Sequence, residues 1–402
     1  MMDLIYKNFL TKKNEIFLGL ALVLFTFAVV IEMTVFTMTT NGDDNRIFLM
    51  ITKTMRYISY ALCVLQICIN QKVKKRWVIC VVLIFAILSV VMVVSNSRTM
   101  FLYFWLIAAA TGISDKKILR TVMWTQISIL CVTVLFSQIG IIRDFVYEER
   151  SRHYLGFTWT TTAPILFFYI ILQYLYICDF QLTFPKFIVF MIINIWLFVM
   201  TNTRFAFVLL LITLVFALLY NYTFIKNIRL EKLKWLFILA PELIAGFSIG
   251  LHAFYDSNSE TWNTINNFLT GRLQLGYDAI NEYGYSLFGH DITWGGNGLR
   301  SQVGEGGMIY NYVDCSYLQI LLQYGLIFLV LVLLAYSIIM WKAIKEKRYS
   351  ACWIILVILV FAITEPRLIS REFNPFILLL FTKAEQDTKK LSERHKHCVS
   401  VY

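Results

Sequence analysis

The chain has 402 residues, of which 59% are hydrophobic and only 15% charged, and its formal net charge is +11. So much apolar surface excludes a water-soluble globular protein and points to a chain solvated by lipid. The basic excess reads as loop anchoring at anionic lipid, not as a nucleic-acid surface.

Crossing the hydrocarbon takes about 20 apolar residues per helix. Taken in chain order, the apolar runs are 16–37, 47–69, 77–94, 99–113, 118–138, 158–178, 184–200, 204–221, 235–254, 317–341, 350–364 and 372–383. They predict an all-α polytopic membrane protein of about twelve spans, forming a single integral domain over 1–402. The fourth, eleventh and twelfth runs are short enough to tilt little or re-enter. No cleavable signal is expected, since the first run follows Lys12 and Lys13, has full length and lacks a small-residue cleavage site.

Short loops rich in Lys and Arg stay in the cytoplasm. Lys7, Lys12 and Lys13 precede the first run, Lys72, Lys74, Lys75 and Arg76 follow the second, and Lys116, Lys117 and Arg120 follow the fourth. Lys186 alone follows the sixth, Lys226, Arg229, Lys232 and Lys234 follow the eighth, and Lys342, Lys345, Lys347 and Arg348 follow the tenth. A basic tail over 384–402 completes the pattern. Every second loop is basic, so both termini are expected inside the cell. The tail residues His395, His397 and Cys398 are too loosely spaced to predict a metal site. Of eight cysteines only Cys315 falls in a long outer loop, which excludes a disulfide framework there.

The opposite face is chemically different. Its ten basic residues are Arg46, Arg98, Arg143, Arg150, Arg152, Arg204, Arg272, Arg300, Arg367 and Arg371, without a lysine. A guanidinium is a planar, permanently charged fork that grips phosphate or carboxylate in bidentate fashion, whereas lysine is a point charge. A face equipped only with forks suggests an anionic substrate handled outside the cell.

Two outer loops are long, 139–157 and 255–316. Within the second, Leu273, Tyr277 and Ile280 recur at helical spacing before Gly284, predicting a short amphipathic helix over 272–283 on the outer membrane surface. The runs Gly295-Gly296-Asn297-Gly298 and Gly304-Glu305-Gly306-Gly307 then predict a pliable segment. Loops of this length are usually lids or binding loops. A short echo links Ser95-Asn96-Ser97-Arg98 with Thr201-Asn202-Thr203-Arg204. It reads either as helix N-capping or as paired anion sites, an Arg at a helix N-terminus. Glu32, Lys53 and Arg56 lie inside spans, where charges rarely face lipid. A Glu32–Lys53 pair is one reading, and a cavity for lipid phosphates lined by Lys53 and Arg56 is the other. Pro241-Glu242 marks a helix break beside a carboxylate.

Several stretches resemble the bacterial polysaccharide repeat-unit polymerases (Wzy type), and more distantly the O-antigen ligases. They are Arg152-His153-Tyr154-Leu155-Gly156-Phe157, Thr203-Arg204, Gly271-Arg272 followed by Leu287-Phe288-Gly289-His290, and Asp314-Cys315-Ser316-Tyr317 leading into Gln323-Tyr324-Gly325-Leu326, with Glu365 further on. Such polymerases carry an outer Arg followed at long spacing by Gly. Arg272 precedes Gly289 by seventeen positions, whereas Arg152 precedes Gly156 by four, a departure from the pattern. The resemblance implies a GT-C-like helical fold at the bacterial inner membrane. It also implies a metal-independent glycosyltransferase without cofactors, which builds capsule, O-antigen or exopolysaccharide. The growing glycan passes from undecaprenyl pyrophosphate to a hydroxyl of the next lipid-linked repeat unit. Membrane lipids, a chain-length regulator and a flippase are the implied partners.

Arginines suit a leaving pyrophosphate, because preorganised cations stabilise charge that grows as the glycosidic bond breaks. The candidates are Arg272, then Arg204, Arg98, Arg152 and Arg150, with Arg56, Lys53 and Tyr317 as further binding residues. Candidates for the acceptor's base are His290, Asp291 and Asp314. The alternatives are a ligase with the same donor and a flippase or other transporter. A transporter would more often show two matching halves and midplane binding residues, whereas the polar material here is concentrated in one outer loop.

Overall fold

The computed structural model describes residues 2–38, 45–70, 75–147, 150–220, 233–299 and 310–385, with residues 2–14 as backbone only. The second glycine run, Arg300, Glu148, Glu149 and the tail with His395, His397 and Cys398 lie outside the described residues, as do the loop lysines Lys72, Lys74, Lys226 and Lys232. The protein is mostly helical. Its helices are α1 (Met2–Glu32), α2 (Arg46–Ile69), α3 (Lys75–Val94), α4 (Thr99–Ala109), α5 (Asp115–Gln138), α6 (Thr162–Ile177) and α7 (Phe184–Thr201). These are followed by α8 (Arg204–Tyr220), α9 (Lys234–Ile238), α10 (Ala240–Ala253), α11 (Glu260–Phe268), α12 (Arg272–Tyr283), α13 (Ser316–Lys345) and α14 (Tyr349–Phe361).

Six helices are long and apolar enough to cross a membrane: α1 from Glu15, α2, α3, α5, α7 and α13. The other apolar runs form shorter or broken elements. α4 has 11 residues, about 16 Å of helix against about 30 Å of hydrocarbon. The ninth run divides at Leu239, because Pro241 can open α10 but cannot continue α9. The twelfth run is not an α-helix at all but a 3₁₀ segment, Pro375–Phe381. α13 breaks at Gly325, whose φ of 85° and ψ of 170° lie far from helical values.

Among the described residues, loops gather at two ends of the bundle. At one end, Lys117 pairs with Glu15 at 2.8 Å and Lys116 with Asp179 at 2.6 Å. Buried Asp115 is held there by Arg348 and by the Tyr176 hydroxyl at 2.8 Å. The Gly112 amide donates to Phe381 at 3.0 Å, which brings the end of the 3₁₀ segment to the same face. At the opposite end, Val35 N–H donates to Gly156 at 2.9 Å and Thr158 N–H to Met33 at 2.7 Å, while Leu299 N–H donates to Thr158 at 2.8 Å. Asn96 there meets Asp291 at 3.1 Å. The long loop therefore sits over the end of α1 and the head of α6.

Irregular backbone between α14 and the 3₁₀ segment is tolerated inside a bundle only if its polar groups find partners. The Tyr336 hydroxyl and Asn374 Nδ2 both donate to the Leu368 carbonyl, at 2.9 and 2.8 Å. Ser316 Oγ donates to the Glu365 carbonyl at 2.5 Å and accepts from Leu368 N–H at 3.1 Å. Gln126 Nε2 donates to the carbonyls of Glu372 and Phe373 at 2.6 and 3.1 Å, and its own oxygen accepts from Gln173 at 2.6 Å. Side chains of α5, α6 and α13 thus fix the 362–374 turn, and with it four charged residues.

Candidate functional site

In the 139–157 loop, strand Val146–Tyr147 pairs antiparallel with strand Arg152–His153. Asp144 holds it by accepting from Leu155 N–H at 2.8 Å and meeting His153 Nδ1 at 2.7 Å. This places Arg152 beside the end of α7, where its Nη2 donates to the Asn202 carbonyl at 3.3 Å. Arg152 Nε is buried without a hydrogen-bond partner among the described residues. Burial first, then the charges of Arg150, Arg272 and Arg204, pull the Arg152 guanidinium below its ordinary pKa. The fold therefore gathers four of the predicted arginines. Asp314 is the carboxylate that answers them directly, through Arg272 Nε at 2.5 Å. Among the described residues the positive charge is in excess, which is the electrostatic condition of an anion site.

Arg272 opens α12, whose bounds match the predicted 272–283 helix. Leu273, Gly276 and Ala279 are its buried positions. A Cβ at Gly276 would lie 2.0 Å from the His252 ring of α10, so the glycine lets α12 seat on that helix. A preceding helix, α11, was not foreseen from the sequence.

Glu365 and Arg367 extend the cluster from the 362–374 turn and form an ion pair. Burial pushes the Glu365 carboxyl up to about 6, against the pull of Arg367, and Asp314 adds to the rise. The rise from the ordinary 4.5 amounts to about 2 kcal/mol. Because the folded-state value is the higher one, this contribution to stability is full below pH 4.5 and is lost as pH rises through about 6. A pH series of thermal unfolding on purified protein is expected to show that fall, and Glu365→Gln should flatten it over the same window. An unchanged slope in the variant would remove Glu365 as its source.

Next to the arginines lies a cavity of about 660 Å³. Its walls include Glu32 of α1, Trp159, Trp294, Tyr312, Arg367 and Glu372. Gly296 and Gly298 explain part of the glycine run: a Cβ on either would lie 2.5 or 2.8 Å from the Trp159 ring. The run accommodates an indole rather than only making the segment pliable. A second, almost wholly apolar cavity of about 610 Å³ lies between α5, α6 and α7 and reaches Trp196 and Leu197, just over one helical turn before Asn202.

The remaining predicted residues fall elsewhere. His290 and Asp291 belong to a segment docked into the break of α13, where His290 Nδ1 lies 3.1 Å from the Leu322 carbonyl and Asp291 accepts from Asn96. With the proton on Nδ1 donated to that carbonyl, Nε2 carries the free lone pair. Arg98 stands exposed at the head of α4, on the Asn96 side. Glu32 pairs with Arg56 at 3.0 Å rather than with Lys53, and Thr52 also donates to it. Lys53 is exposed and is not among the residues lining the cavity that Glu32 borders. Tyr317 is fully buried and its hydroxyl donates to the Leu359 carbonyl at 2.7 Å, which makes it a packing residue and corrects its assignment as a substrate binder. Glu242 accepts from Ser337 at 2.9 Å.

No side chain caps α4 at Arg98, so the N-capping reading fails in the first copy of the echo. Asn96 and Asn202 both adopt left-handed backbone, with φ of 50° and 48°, and Ser95 and Thr201 each donate to the carbonyl four residues earlier at 2.7 Å. Each motif ends one helix and turns into the next, a role asparagine fills because it tolerates that conformation. Arg371, Glu372, Trp159, Trp294 and Tyr312 were not singled out for the site. A signal existed for two of them: Arg371 and Glu372 are adjacent charges at the edge of an apolar run. No family model matches the chain, and no similar protein is found among curated sequences or among solved structures.

Proposed function

We propose that the chain is a membrane glycosyltransferase that polymerises lipid-linked oligosaccharide repeat units, with a GT-C-like helical fold and its arginine-rich end facing outward at the inner membrane. The observation that carries this reading is the convergence of Arg150, Arg152, Arg204 and Arg272 on a region with too few carboxylates, among the described residues, to neutralise them. A pyrophosphate supplies the missing negative charge. The apolar cavity that runs beneath Asn202 suits the polyprenyl tail of the same lipid.

In the proposed reaction the bond between the sugar's anomeric carbon and the pyrophosphate oxygen breaks, and its electron pair stays on the phosphate. Guanidinium forks stabilise that charge as it grows. The acceptor hydroxyl attacks the anomeric carbon and its proton passes to a base. Of the three candidates for that base only Asp314 lies in the arginine cluster, where Arg272 engages it, while His290 and Asp291 lie on the Asn96 side.

Deleting the gene and examining surface glycan with its lipid-linked precursors tests the reading. Single repeat units at the cell surface and no polymer are expected. Long lipid-linked polymer that stays unattached would instead identify a ligase, and units trapped on the inner leaflet would identify a flippase.

A further inference from the structure

We infer that the cavity walled by Trp159, Trp294 and Tyr312 seats one sugar ring of the glycan beside the arginine cluster. The inference rests on the polymerase reading for which glycan is meant, and on the cavity's own chemistry for the sugar ring. Trp159 and Tyr312 have ring centroids 5.8 Å apart and planes inclined at 41°, so they form a cleft rather than a closed stack. Each indole is fixed from behind. Gly296 and Gly298 press on Trp159, and Trp294 Nε1 donates to Gln323 Oε1 at 3.0 Å. The polar rim carries both signs: Arg367 and the buried carboxylate Glu372, one oxygen of which accepts from the Tyr103 hydroxyl at 3.3 Å.

This mixture selects among ligands. An acyl chain would leave Glu372 and Arg367 in contact with hydrocarbon, which charged groups disfavour. A phosphate would meet Glu32 and Glu372 as like charges. A pyranose satisfies every group: its C–H face covers an aromatic ring, while its hydroxyls donate to carboxylates and accept from the guanidinium. The volume of about 660 Å³ exceeds what one ring needs and leaves the chain room to continue. The cavity also adjoins the cluster, because Tyr312 leads directly to Asp314 and Arg367 pairs with Glu365.

The ring could belong to the donor, as the sugar next to pyrophosphate, or to the acceptor, as the terminal sugar that receives the chain. The probe is a one-repeat oligosaccharide prepared by partial hydrolysis of the source organism's surface polysaccharide. Its binding to full-length protein in nanodiscs is measured beside that of undecaprenyl pyrophosphate without sugar. The wild type is expected to bind both. Trp159→Ala and Tyr312→Leu should each weaken the oligosaccharide by at least about tenfold, or about 1.4 kcal/mol, and leave the lipid within about twofold. Opening the reducing-end sugar to its alditol should abolish binding if the cavity takes the donor ring and preserve it if it takes the acceptor. No oligosaccharide binding by the wild type, or equal binding by both variants, overturns the inference. The two variants back each other up if one fails to fold. Sugar binding lost in the variants without a polymerisation phenotype on gene deletion would sink the polymerase reading alone. The reverse pair of results would sink only the cavity.

Discussion

Arg272→Ala is expected to reduce surface polymer by a factor of about 100 or more while the protein still accumulates in the membrane. The expectation rests on position. Of the four arginines on the outer loops and helix heads, Arg272 is the one that, among the described residues, is both paired and close to Glu365, and it starts α12 against α10. Its side chain is 33% exposed and that of Asp314 20%, so the substitution orphans a half-buried carboxylate at a folding cost of about 1–3 kcal/mol. Adding Asp314→Asn removes most of that cost, so protein level is compared in both variants. The competing explanation is that Arg272 only neutralises Asp314. A double variant separates the two. If neutralisation were the whole role, adding Asp314→Asn to Arg272→Ala would restore polymer. If the fork grips pyrophosphate, the double variant stays inactive, which is the expected result. Arg272→Lys keeps the charge and loses the bidentate geometry, and it too should fail. Normal polymer length from the lysine variant would reduce the role of Arg272 to charge alone. Polymer is read by the size profile of surface glycan, and protein level by immunoblot of membranes.

Loop charge made the two ends of the bundle legible. Lys116, Lys117 and Arg348 do meet at one end, and the arginine loops meet at the other, because hydropathy and charge act locally and survive any packing. The α12 helix was legible for the same reason, a short periodic run ending in glycine. The number of full-length crossings was not. Apolar content alone cannot distinguish a straight span from the broken ninth run or the 3₁₀ segment, since both bury hydrophobic side chains equally well. Partnerships of charge were misread where geometry outweighs sequence spacing. Glu32 chose Arg56 over Lys53, although both lie on α2, because Arg56 falls on the face that meets α1. The aromatic cavity was invisible, since Trp159, Trp294 and Tyr312 come from separate segments and nothing local marks them as one wall. His290 and Arg272 share a loop, but the docking of 286–294 into α13 carries His290 to the Asn96 side.

That docking supplies the second large expectation, that Gly289→Ala destabilises the fold by about 3 kcal/mol or more. Gly289 has a φ of 91°, and a Cβ there would lie 2.1 Å from the Gln323 carbonyl oxygen, which is backbone and cannot swing aside. Opposite it, Gly325 has a φ of 85°, and its Cβ would lie 2.4 Å from the Gly289 nitrogen. The two glycines let two backbones touch where α13 breaks. Leu326 and Ile327 N–H groups then donate to Ser286 and Leu287 carbonyls at 2.9 and 3.1 Å, and His290 N–H donates to Gln323 at 3.3 Å. Losing that contact frees three amides as well as straining the chain, so the penalties add. Gly284 provides the control. It also has positive φ, at 68°, but nothing lies within 4 Å of its Cβ position. Gly284→Ala should therefore cost only the backbone strain of its glycine-only conformation (φ 68°, ψ −176°), about 1–3 kcal/mol. Thermal unfolding in detergent and membrane abundance should fall further for Gly289→Ala than for Gly284→Ala, with polymer lost in the first because the protein is lost. The long Arg-to-Gly spacing offers a different reason for Gly289, a direct part in the reaction. A Gly289→Ala protein that accumulates and melts like wild type yet makes no polymer would support that reason and defeat the packing account.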